Sequence, residues 1–255
     1  MNWQKQQKIY ERKAYRIIQD HIKKILNNIP LNNTSGVTFE YLIRGNITED
    51  KIKSMYVEIY KTIGLDYGNK INNQLEKVTK ANILFNEELL KEILLFLSNE
   101  GGLRITSVRN TLVESLIEAI KEQISVQGSL VSVRDVIYNI VYKSQQFYKW
   151  QALRIARTET TTSANFSAIV AARQSNLVLE KQWISAQDDR TRIIPYDHLD
   201  MNGQKVDLES PFFVGGENIF YPGDANASAG NTINCRCTIA FVPKRDKDGF
   251  LIRKI

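Results

Sequence analysis

The most defined chemistry in the sequence is offered by two cysteines and one histidine. Cys235 and Cys237 stand one residue apart in the word Asn234-Cys235-Arg236-Cys237 and are the chain's only cysteines. The surrounding run, Thr232 to Val242, reads as a buried strand. On a strand both thiols project from the same face, because side chains alternate with period two. His198, with Asp188, Asp189 or Asp197, could then complete a tetrahedral zinc site, and the ligand set taken forward is His198, Cys235, Cys237 and Asp188. Structural zinc sites usually draw four ligands from Cys and His, and this chain brings three, so the alternative is that both cysteines are small buried hydrophobes. A Cys-x-Cys disulfide is disfavoured by the short ring it must close.

A second group of residues is ionic. Arg157, Glu159, Asp189, Arg190, Arg192 and Asp224 are expected to form a semi-buried cluster whose bidentate hydrogen bonds fix helix, turn and strand against one another. Nothing raises one carboxylate above the rest as a general acid or base. There is no Gly-x-Ser-x-Gly word, and Gly101-Gly102 and Gly215-Gly216 lack the Lys-Ser/Thr of a phosphate loop. His21 lies among Asp20, Lys23 and Lys24 and reads as a surface residue. No catalytic residue is assigned, and a non-enzyme is expected.

These residues must be positioned by elements of different kinds. Trp150 to Gln174 is Ala-rich, with Leu153, Ala156, Ala164, Ile169 and Ala172 suiting a helix. Its Thr158 to Ser163 run is poor in helix propensity and marks either a kink or a tight packing site. Val178 to Ala186 alternates like a strand, and Asp188 to Arg192 follows as a charged turn. Asn202-Gly203 predicts a hairpin whose arms are Tyr196 to Met201 and Gln204 to Leu208.

The chain before this is helical support. Gln4 to Asn28 is an amphipathic helix with Ile9, Ile17, Ile18, Ile22, Ile25 and Leu26 on its stripe, followed by a loop over residues 32–36. Thr48 opens a helix carrying Ile52, Met55, Tyr56, Ile59, Tyr60 and Ile63. Gly64 to Lys80 is polar, with a break at Tyr67-Gly68-Asn69. Further helices are expected over Asn86 to Leu97, Ser107 to Val126, and from Ser132 through Val141. The fold class is α+β: an all-helical region over residues 1–148, a smaller α+β domain with a long helix and short antiparallel strands over 149–243, and a basic tail over 244–255.

Taken in order, Ala156-Arg157-Thr158-Glu159, Asp188-Asp189-Arg190-Thr191-Arg192 with His198 after it, the Asn202-Gly203 turn, Tyr221-Pro222-Gly223-Asp224 and Asn234-Cys235-Arg236-Cys237 resemble the phage head morphogenesis family, the Mu F-like minor head proteins of tailed bacteriophages. The resemblance implies a minor capsid protein, present in few copies near the portal vertex, acting in head assembly and in DNA packaging or ejection. Its implied partners are the portal protein, scaffold or major capsid protein, and packaged double-stranded DNA. Its implied location is the virion head, reached from the host cytoplasm.

Composition agrees with a globular protein: 43% hydrophobic and 24% charged residues, with no apolar run near the ~20 residues that span a membrane. The first residues lack the apolar core of a signal peptide, so no membrane role is expected. The net charge of +6 would suit an acidic partner, but the basic residues are interspersed with acids except at Lys244 to Lys247 and Arg253-Lys254. Two other functions remain open. One is a zinc-stabilised nucleic-acid-binding module using the basic C-terminus. The other is an ADP-ribosyltransferase-like enzyme, in which Arg157, Thr160 to Ser163 and Glu180 would have to serve although a Glu-x-Glu word is absent.

Overall fold

The computed structural model describes residues 2–29, 38–79, 85–99, 101–127 and 145–254. Its architecture is α+β, with helices throughout the first two thirds and small antiparallel sheets at the C-terminal end. The helices are α1 (Trp3–Asn27), α2 (Thr38–Asn46), α3 (Glu49–Ile59), a π-helical segment (Tyr60–Gly64), α4 (Leu65–Thr79), α5 (Phe85–Ser98), α6 (Gly102–Gln127) and α7 (Gln145–Gln174). Strands β1 (Leu179–Ile184), β2 (Lys205–Asp207), β3 (Phe212–Val214) and β4 (Glu217–Ile219) follow, then the single turn α8 (Ala229–Thr232) and β5 (Thr238–Pro243).

Helix α7 is the axis of the fold. From Thr158 to Ala172 every residue is buried, so it has no solvent face. Such a helix must be surrounded, and α1, α4, α5, the π-helical segment and β5 all pack on it. Ala, Ser and Thr make this possible, since short side chains let several backbones approach one axis. The Thr158 to Ser163 run therefore marks tight packing rather than a kink. Gly64 shows how tight: a Cβ there would stand 2.5 Å from the Ser167 hydroxyl on α7.

Helix α1 begins at Asn2, whose side chain accepts from the Lys5 N–H at 3.1 Å. Its buried stripe is Trp3, Gln7, Tyr10, Ala14, Ile18, Ile22 and Ile25, with Leu26 beside it. Ile9 is largely outside that stripe, at 41% exposure. The aromatic and small residues set the face, and counting isoleucines alone rotates it. Thr48 caps α3 by accepting from Lys51 N–H at 3.4 Å.

Four expectations are corrected. Gly64 to Lys80 does not break at Tyr67: α4 runs through it, with Tyr67, Ile71 and Leu75 buried on one face. Helix α6 starts at Gly102, five residues before Ser107, and α2 was not anticipated. The Asn202-Gly203 turn does not join Tyr196–Met201 to Gln204–Leu208 as a hairpin; it leads into β2, whose partner is β1. Trp183 N–H donates to the Gln204 carbonyl and Gly203 N–H to the Trp183 carbonyl, so residues 185–202 form a long excursion from one hairpin. The strand expected from Thr232 begins only at Thr238, because Asn234 has a left-handed backbone (φ 59°) and residues before it belong to α8. The loop at 32–36 and the helix from Ser132 lie outside the described residues.

The three-stranded sheet has the order β2-β1-β5, antiparallel throughout, with Trp183 opposite Ile239 and Lys181 opposite Phe241. Strands β3 and β4 form a separate hairpin. The basic C-terminal segment folds back on this sheet: Leu177 bridges Arg253, Arg245 bridges Leu251, and Lys254 N–H donates to the Asn176 carbonyl at 2.8 Å.

Gly64→Ala is expected to destabilise the protein by roughly 1–3 kcal/mol, the usual range for overpacking, because the Ser167 hydroxyl, the Ser163 carbonyl and Ile93 leave the new methyl little room. Denaturant unfolding measures it; an unchanged midpoint would mean that the two helices can separate freely there.

Candidate metal centre

Polar groups of α7 hold the two words that follow the sheet. Thr161 Oγ1 donates to the Cys235 carbonyl at 2.6 Å, and Thr162 Oγ1 to the Gly223 carbonyl at 2.8 Å. Asn165 Nδ2 donates to the carbonyls of Pro222 and Cys237 at 2.9 and 3.1 Å, while its Oδ1 accepts from Thr238 Oγ1 at 2.9 Å. Thr158 Oγ1 accepts from Asn234 N–H at 3.0 Å. From the other side, Trp3 Nε1 donates to the Arg236 carbonyl at 2.8 Å. The Asn-Cys-Arg-Cys backbone is thus clamped between α1 and α7.

This clamp points both thiols at one histidine. His198 Nδ1 lies 3.7 Å from Cys235 Sγ and 3.7 Å from Cys237 Sγ, and all three ligand atoms fall within 4.8 Å of one another. The three residues are 1–2% exposed. His198 is brought there by the 185–202 excursion, where Asp197 takes a left-handed turn (φ 43°), and Trp183 packs edge-on against its ring at 5.3 Å. On its far side, Nε2 meets Asn231 Oδ1 at 2.9 Å. The hydrogen bond with Cys237 pulls the Cys235 thiol well below its ordinary pKa, and the same bond, with burial, holds Cys237 up. The thiols converge from an irregular turn, not from one face of a strand.

Asp188 does not join this group. Its carboxylate is occupied by a bidentate pair with Arg236, 2.6 Å from Nη2. Burial raises the Asp188 carboxyl, but the Arg236 hydrogen bond and charge outweigh it and hold the group below the usual carboxylate range. Asp189 is exposed, and Asp197 lies on the turn beside the histidine.

The six residues expected as one ionic cluster are instead distributed. Arg157 faces Glu11 at 3.6 Å and donates to Asn234 Oδ1 at 3.2 Å. Arg192 donates to the Ile233 carbonyl. Arg190 and Asp189 stand exposed on the charged turn. Asp224 is buried and accepts the Phe220 and Asn226 N–H groups at 2.9 and 3.0 Å, closing the Tyr-Pro-Gly-Asp turn by itself. Glu159, 3% exposed, finds its partners in the helical region: Arg104 at 3.6 Å, Tyr60 OH at 3.2 Å and Tyr56 OH at 3.4 Å. Burial pushes its carboxyl above the ordinary value, and Arg104 opposes that rise.

Arg104 is the residue that sequence reasoning missed. It also donates to Thr162 Oγ1 at 2.8 Å and to the Gly223 and Asp224 carbonyls at 3.3 Å, joining α6, α7 and the Tyr-Pro-Gly-Asp turn. No local signal marks it, because an Arg three residues into a helix is ordinary. Of the residues that an ADP-ribosyltransferase reading would need, Thr161 and Thr162 are engaged with backbone carbonyls and Arg157 with Glu11 and Asn234.

The family model of Phage Mu protein F like proteins matches residues 110–240, just over half of the 255-residue chain. The chain belongs to this family. It is therefore a phage head morphogenesis protein by membership. The matched region opens inside α6 and closes within β5, so it includes α7, the excursion bearing His198, and both cysteines. No curated protein and no solved structure matched the chain. None of the described helices is long and apolar enough to cross a membrane.

Two variants test the electrostatics. Arg104→Ala strands a buried carboxylate and is expected to cost roughly 3–5 kcal/mol, against about 1 kcal/mol for the more exposed Arg157→Ala. Equal losses in denaturant unfolding would contradict the assignment of Arg104 as the partner of Glu159. Lys181 on β1 is buried, with its ammonium 5.5 and 5.1 Å from the Phe212 and Phe220 rings and no hydrogen-bond acceptor. Burial lowers its pKa to about 8. Above that value the unfolded chain keeps a proton that the folded chain has shed. Stability therefore rises with pH from about 8 towards the ordinary lysine value near 10.4, while the full cost of burying the charge applies below 8. Lys181→Met should raise Tm at pH 7, and its advantage should shrink by pH 10; a Tm gain independent of pH would exclude the charge as its cause.

Proposed function

We propose that this chain is a minor head protein of a tailed bacteriophage, present in few copies per particle and bound near the portal vertex, where it acts in head assembly and in DNA packaging or ejection. The observation that carries this reading is the Phage Mu protein F like match, which spans α7, the excursion bearing His198 and both cysteines. The portal protein is the proposed principal partner, with scaffold or major capsid protein and packaged double-stranded DNA as further contacts. The proposed location is the virion head.

The helices within residues 1–148 are the proposed portal-facing or scaffold-facing part. They also complete the core around α7: Tyr56, Tyr60 and Arg104 all converge on Glu159. Deleting them would expose α7, so a truncation tests folding before it tests binding. Cross-linking within assembled particles avoids that ambiguity. Cross-links from residues 1–148 to portal support the division of labour, and cross-links to portal only from residues 149–243 refute it.

The deciding measurement is quantitative mass spectrometry of this chain in purified proheads and in mature virions, with portal protein as the internal count. A small, fixed ratio to portal in both is the expected outcome. Absence from both particles would overturn the proposal.

A further inference from the structure

We infer that His198, Cys235 and Cys237 bind one zinc ion, with His198 coordinating through Nδ1, the fourth position taken by a solvent molecule, and a structural role for the metal. The site goes beyond the head-protein reading and stands or falls independently of it.

The first support is the tautomer, which the surrounding hydrogen bonds fix. Asn231 Nδ2 donates to the Val214 carbonyl at 3.4 Å, so Asn231 Oδ1 is the atom facing His198 and acts as an acceptor. His198 Nε2 must then carry the proton and donate. Nδ1 is left with its lone pair directed at two buried sulfurs. One lone pair can take a hydrogen bond from only one thiol, and the other thiol then falls back on the neighbouring cysteine. A metal uses all three. A histidine ligand whose other ring N–H is held by an amide or carboxylate oxygen is the ordinary second-sphere arrangement at zinc, where it fixes ring orientation.

The second support is distance. Tetrahedral zinc with Zn–S near 2.3 Å and Zn–N near 2.05 Å places nitrogen and sulfur about 3.6 Å apart. The two N···S separations here are both 3.7 Å. Two edges of the ligand triangle thus already have the length of zinc-tetrahedron edges, although the sequence brings its corners from a turn and an excursion 37 and 39 residues apart.

The fourth corner is not supplied by Asp188, which Arg236 holds. His21 is held by Glu58 at 2.7 Å on the far end of α1, and the chain contains no further Cys or His. Among the described residues no other carboxylate joins the group. Solvent therefore completes the shell. Zinc entry displaces the two thiol protons to solvent, leaving two thiolates, a neutral imidazole and a divalent ion with no net charge, which suits a buried site. Because ligands and metal are enclosed, the ion acts as a staple between the Asn-Cys-Arg-Cys turn and the His198 excursion.

The full chain, purified under reducing conditions from zinc-supplemented medium, should carry about one zinc per chain by native mass spectrometry. Cobalt(II) added to the metal-free protein should give thiolate-to-cobalt charge transfer and the ligand-field bands of a four-coordinate site. Asn231→Ala keeps all three ligands and should weaken zinc binding roughly 10–100-fold. Asp188→Asn should leave stoichiometry and spectrum unchanged. The inference is overturned if folded, reduced wild-type protein takes up neither zinc nor cobalt, or if cobalt binds without thiolate charge transfer. Loss of the metal in Asp188→Asn would overturn the assignment of the fourth position. Since wild-type protein alone decides the first point, no variant has to fold for the test to succeed or fail.

Discussion

The structure depends on one constraint: α7 is surrounded, so its polar side chains can be served only from inside the protein, and most of them are, the Thr160 and Ser167 hydroxyls being exceptions. An unpaired buried hydroxyl or amide costs about 1–3 kcal/mol, and α7 carries a dense run of such groups between Thr158 and Asn165. Their partners are largely backbone carbonyls and N–H groups of residues 222–238. A segment almost free of regular structure thereby gains a defined path, with the helix acting as the template for a loop. Glu159 extends the same logic to charge. Its partners come from α3, the π-helical segment and α6, so one carboxylate links the helical region to the Tyr-Pro-Gly-Asp turn through Arg104.

This explains why the family words are short and scattered. Each supplies one part of a single contact set: the Thr-rich turn of α7 gives hydroxyls, Tyr-Pro-Gly-Asp gives carbonyls, and Asn-Cys-Arg-Cys gives carbonyls and thiols. Gly223, with φ 83°, could carry no side chain without disturbing that set, since a Cβ there would stand 3.0 Å from the Thr162 hydroxyl. The chemistry at His198 follows from the same packing, since the clamp on Cys235 and Cys237 is what brings two sulfurs to one ring nitrogen.

Much of the fold was legible because periodicity reports burial. The helices over α1, α3 and α5 and the strand at β1 announce themselves through apolar spacing, and the α+β class follows. What was not legible depended on partners. The stretch from Gly64 to Lys80 looks polar and broken at Tyr67-Gly68-Asn69, yet Tyr67 is buried and pairs its hydroxyl with Thr238 at 3.2 Å, a contact no local pattern announces. The three zinc-capable residues were visible as residue types, whereas Asp188 was misjudged because Arg236, between the two cysteines, claims it. The charged words looked like one cluster because they are close in sequence pattern; in space each arginine takes a different neighbour.

The contact between Trp3 and Arg236 joins positions 233 residues apart, and the final residues pair with the start of β1. Helix α1 therefore meets this counterpart only after the long stretch of chain between them has been made. Until then the polar flank of α7 has no carbonyls to satisfy it and the seat of Trp3 does not exist. Such a topology rests on distant pairings and favours slow maturation. The length of chain between the two partners thus acts as a clock on when a folded subunit can appear.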